Sequence, residues 1–79
     1  MYMKVIGYFV DRGGSLDNIV NLFVAIDDGQ EDKITIYSPV GQHQEGSRDY
    51  LEECTKITRK QYIKRTEHLY TPVEYLIIK

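Results

Sequence analysis

The chain has 79 residues, of which 42% are apolar and 28% charged, with a net charge of −2; that is a globular composition, and it excludes a disordered chain and a general nucleic-acid coat. No apolar run approaches the roughly 18 residues of a membrane span, and the single cysteine, Cys54, excludes an internal disulfide and any Cys/His zinc pattern. One α+β domain over residues 1–79 is expected, small enough to bury only about 60–65% of the surface of its unfolded chain.

Lys4 to Val10 reads as a strand, rich in β-branched and aromatic residues. Asp11-Arg-Gly-Gly-Ser15 is a turn cluster. Ile19 to Ile26 is the strongest strand, with Val20, Leu22, Val24 and Ile26 on one face at period two and Asn21, Phe23 and Ala25 on the other. The second face is only half polar, so it calls for a second layer or a second subunit, and a homodimer is the favoured expectation. Asp27 to Asp32 is a hairpin loop containing Asp-Gly. Lys33 to Ser38 is a third strand with Ile34 and Ile36 inward, and the short connections make the three an antiparallel meander.

From Tyr37 to Tyr50 the chain reads Y-S-P-V-G-Q-H-Q-E-G-S-R-D-Y, a polar loop unusually long for so small a domain. Ser47 then suits a helix cap with Asp49 in the first turn, and Tyr50, Leu51 and Cys54 follow at helical spacing. Thr58-Arg-Lys-Gln61 fits a capping box, with Tyr62 and Ile63 as the buried edge of a second short helix. Thr71-Pro-Val-Glu74 is a third start signal, and residues 75–79 suit either a final helical turn or a last strand. The expected fold is α+β: a three-stranded antiparallel meander followed by two or three short helices packed on one face.

The polar loop is the candidate site. Gly41 and Gly46 let the backbone present N–H groups, and Gly46, Ser47 and Arg48 stand at a helix start, where amides and a guanidinium attract an anion. Gln42 and His43 supply hydrogen-bonding specificity, and Tyr37 or Tyr50 a stacking ring. The competing reading is a surface loop whose polar groups only cap and solvate. His43 and His68 match no metal spacing, and Ser38 or Ser47 with His43 and Asp49 lacks the turn that presents a nucleophile, so neither a metal site nor a catalytic residue is expected. Cys54 reads as a small buried hydrophobe. Residues 56–65 carry five of the ten basic residues and no acid, either as a solvated face or as a grip on nucleic-acid phosphates.

The run Y-S-P-V-G-Q-H-Q-E-G-S-R-D-Y-L-E-E-C, with the later L-Y-T-P-V-E-Y-L, resembles small uncharacterised proteins of phages and mobile elements of Gram-positive bacteria, over roughly residues 37–76. The resemblance implies a non-enzymatic accessory role, as an inhibitor, a sequestering protein or a modulator of a host protein. The combined expectation is a cytoplasmic, non-enzymatic protein without a cofactor. It binds a small anionic ligand or nucleotide through Tyr37, Gln42, His43, Gly46, Ser47, Arg48 and Tyr50. The alternatives are a protein–protein inhibitor or adaptor acting on a host protein through Phe23 and Tyr8 or the acidic hairpin, and RNA binding through residues 56–65. Nucleic acid is the less favoured partner, and the absence of an apolar span and of a leader-like N-terminus argues against a membrane.

Overall fold

The runs richest in β-branched and aromatic residues form strands: Lys4–Val10 (β1), Leu22–Asp27 (β2) and Lys33–Tyr37 (β3). In the computed structural model, which describes residues 4–38 and 42–66, two further strands join them, His43–Ser47 (β4) and Thr55–Ile57 (β5). The α+β class is as expected, but the three-stranded meander is the middle of a five-stranded antiparallel sheet in the order β4-β3-β2-β1-β5. Two short helices, Arg48–Leu51 (α1) and Arg59–Arg65 (α2), complete the described chain. The expected helix start at Thr71 and the segment 75–79 lie outside the described residues, as do Gly41 and His68. Among the described residues no helix is long and apolar enough to cross a membrane.

Register explains the two-sided core. Val24 stands opposite both Tyr8 and Tyr37, and Tyr8 opposite Ile57, so these four share one face. Phe9 opposite Phe23 and Ala25 opposite Ile36 belong to the other. A bulge between Val5 and Gly7 keeps Val5 on the first face and turns Ile6 toward the second cluster. The first face is covered by α2, whose Tyr62 is fully buried with its ring centroid 5.0 Å from that of Tyr8. The second is covered by Tyr50, Leu51 and Cys54, packed against Phe9, Phe23, Ala25 and Ile34. The helices therefore sit on opposite faces rather than together on one. The demand for a second layer over β2 is met within the chain.

Three local features follow from sequence chemistry. Thr58 and Gln61 form the capping box at α2, each side chain accepting the other residue's backbone N–H, at 3.0 and 2.9 Å. Gly29 adopts φ 97° in the β2–β3 turn, a conformation that favours glycine. Ile19–Asn21 is a 3-10 turn rather than the start of β2, because the Asn18 side chain accepts the Val20 N–H and the Asn21 N–H bonds the Asn18 carbonyl. Val20 consequently leaves the strand face and is 63% exposed.

Removing the Tyr62 ring opens a cavity against Tyr8, so Tyr62→Ala costs about 3–5 kcal/mol. Val20→Ala changes stability by no more than about 0.5 kcal/mol. Urea unfolding of the two variants checks the contrast.

Candidate functional site

The stretch that reads as a long polar loop is folded largely as strand β4. It pairs with β3 from Lys33–Ser47 through Tyr37–His43, and the Ser38 N–H donates to the Gln42 carbonyl at 2.9 Å at the turn. No apolar alternation marks His43 to Ser47; the strand exists because the exposed edge of β3 supplies its hydrogen-bond partners. Gly46 lets Ile36 pack closely across the pair: a Cβ on it would lie 2.5 Å from Ile36 Cδ1, so any other residue here makes the Ile36 side chain shift. Ser47 ends the strand and caps α1, its Oγ accepting the Tyr50 N–H at 3.3 Å, but that helix is a single turn.

The seven residues singled out from sequence divide three ways. Tyr37 and His43 are cross-strand partners on the first face, with ring centroids 4.6 Å apart in an edge-on arrangement. Arg48 reaches across to the β2–β3 turn, where Nη2 pairs with Asp27 at 2.9 Å and Nε donates to the Glu31 carbonyl at 3.0 Å. Gly29 N–H and Arg48 both bond the Asp27 carboxylate and hold it below its ordinary 3.8. Gln42, Gly46, Ser47 and Tyr50 line a groove of about 600 Å³. Neither His43 nor Arg48 is among the described residues that line it.

The groove runs between the β3–β4 edge, the start of β2 and Tyr50 of α1. Val20, Leu22, Phe23 and Ile36 are its apolar residues, Ser38 and Ser47 add hydroxyls, and Asn21, Gln42 and Gln44 add three amides. Asp11 and Glu45 add two carboxylates, and no cation lies among its described lining residues. Nine of the thirteen described lining residues lie outside those seven, Asp11, Asn21, Phe23, Ile36, Gln44 and Glu45 among them. The signal for two of them was available, since Ile36 and Gln44 become neighbours as soon as Tyr37–His43 is taken as a register pair.

Burial pushes the Cys54 thiol above its ordinary 9.0, and its Sγ lies 3.3 Å from the Tyr50 carbonyl, to which it donates. Among the described residues no three His, Cys, Asp or Glu side chains are grouped to hold a metal. Comparisons with protein-family models, curated proteins and solved structures returned no match.

The Arg48–Asp27 pair staples α1 and β4 to the β2–β3 turn, so Arg48→Gln lowers the urea midpoint at neutral pH. A carboxyl held low in the folded state adds stability that is complete above its unfolded value and vanishes as pH falls through its folded value. The gap between wild type and Arg48→Gln is therefore full above about pH 3.8 and closes as pH falls below it, which urea titrations across acidic pH measure.

Proposed function

We propose that the protein is a non-enzymatic binding protein whose working surface is the groove beside β4, and that its ligand is a small, uncharged or cationic molecule carrying a planar polar ring. The carrying observation is the company the groove keeps: three amides and two carboxylates around an apolar floor, with Tyr50 at its margin and no cation among its described lining residues. Amides and hydroxyls read a ring's donors and acceptors, the floor takes its face, and the carboxylates favour positive charge.

The anionic form of this reading is the less supported one. Arg48, the cation it relies on, is engaged with Asp27 and the Glu31 carbonyl, and Asp11 and Glu45 would repel a phosphate placed in the groove. An adaptor role through Phe23 and Tyr8 has less support too, because both are buried. Self-association loses the argument that motivated it, since both faces of β2 are covered by the chain itself.

A thermal-shift panel of nucleosides and aromatic amines, each beside its phosphorylated or carboxylated counterpart, tests the reading. The uncharged or cationic member of a pair raises Tm; at a ligand concentration 100 times Kd the stabilisation is about 2.7 kcal/mol. Tyr50→Ala and Gln44→Ala each weaken it. Stabilisation by the anionic members alone, or by none, refutes the proposal.

A further inference from the structure

We infer that the groove beside β4 selects a planar cation, an amidinium or a protonated amino-substituted ring, and that Asp11 and the neighbouring Asn21 amide set this choice. This selection presupposes that the groove is the working surface, and it gives the two bordering carboxylates different roles. Glu45 is paired with Lys33 at 3.4 Å, so the charge it shows to the groove is already offset. Asp11 forms no salt bridge among the described residues. Its Oδ1 accepts the Arg12 N–H at 3.0 Å, and the Arg12 guanidinium is taken by Glu53 at 2.7 Å. Asp11 therefore brings an unpaired negative charge to the groove, with Oδ2 left to accept from a ligand.

Asn21 stands beside it. One step past the last ladder pair, Val10–Leu22, the Asp11 N–H donates to the Asn21 carbonyl at 2.7 Å. That bond sets the two residues opposite each other, and both line the groove. The turn after Asp11 then closes on itself: the Gly14 N–H donates to the Asp11 carbonyl at 2.9 Å, with Gly13 at φ 75° inside the turn. This brings Gly14 down on the Asn21 side chain, where a Cβ on Gly14 would lie 2.7 Å from Asn21 Cβ and Cγ and 2.8 Å from Nδ2. Among the described residues the Asn21 side chain makes no hydrogen bond. Packing holds the amide, and its donor and acceptor remain for a ligand.

A carboxylate next to a fixed amide matches two N–H donors lying in one plane. An amidinium or a protonated amino-heterocycle presents that pair, with a ring attached in the same plane. Phe23, two residues beyond Asn21, also lines the groove and gives the ring an apolar wall.

The test is titration of the ¹⁵N-labelled chain with benzamidine, benzamide and benzoate, one planar frame carrying in turn a cation, a neutral amide and an anion. Saturable amide shifts centred on Asp11, Asn21 and Phe23 are expected, with benzamidine the tightest and benzoate the weakest. Asp11→Asn weakens benzamidine roughly tenfold or more, as loss of a charge-assisted hydrogen bond does, and removes its lead over benzamide. Glu45→Gln weakens it by a much smaller factor. Gly14→Ala, which pushes the Asn21 side chain aside, weakens benzamidine and benzamide alike, and an unchanged remainder of the spectrum reports that each variant is folded. Benzamide binding as tightly as benzamidine, a loss from Glu45→Gln as large as that from Asp11→Asn, or full affinity in Gly14→Ala overturns the inference and leaves the groove as a binding surface. No saturation by benzamidine at millimolar concentration overturns it too, while the groove still stands or falls on its own thermal-shift panel. Tightest binding by benzoate overturns both.

Discussion

Strand β2 is apolar on both faces, and the rest of the architecture answers that constraint. Leu22, Val24 and Ile26 on one side and Phe23 and Ala25 on the other are all buried. A strand in the middle of a sheet satisfies its backbone through β1 and β3, but each face still needs a cover. The two short helices of the described residues are divided between the faces for this reason. Tyr62 seals one beside Tyr8, and Tyr50, Leu51 and Cys54 seal the other beside Phe9 and Phe23, whose rings stack at 5.6 Å. Aromatic pairs of this kind add about 0.5–1.5 kcal/mol each beyond the area they bury, a useful increment in a domain this small.

The same division shapes the surface. Among the described residues, the cover that Tyr50, Leu51 and Cys54 give the second face stops short of the region between the β3–β4 edge and the start of β2, and that shortfall is the groove. On the opposite edge β5 spans only three residues, and its shortness leaves a notch over β1. Both concavities are places where a short element fails to cover a longer one.

Charge is sorted between them. Carboxylates from the β1 end and from β4 border the groove, while the acid-free run from Thr55 to Thr66 borders the notch. Arg48 sits between these regions in sequence but belongs to neither in space. Its planar fork is taken up by Asp27 and the Glu31 carbonyl, so it acts as a clamp between the two hairpins. A residue with the composition of an anion ligand has become part of the frame.

Local chemistry was legible from the residues themselves: β1 and β3, the Asp-Gly turn, the Ser47 cap and the Thr58 capping box all depend on neighbours within a few positions. Four of the seven candidate site residues, Gln42, Gly46, Ser47 and Tyr50, do line the groove. What escaped a linear reading depends on partners far along the chain. β4 carries no strand pattern of its own and is a strand because β3 offers an edge; β5 is too short to signal itself and follows Tyr8. Alternation along β4 then sends His43 to one face and Gln44 to the other, a separation that only register can decide, because side chains adjacent in sequence point to opposite sides of a sheet. Sequence by itself determined which elements could form and which faces had to be hidden. The tertiary structure alone decided which polar groups would meet across a hollow, since that is set by long-range pairing.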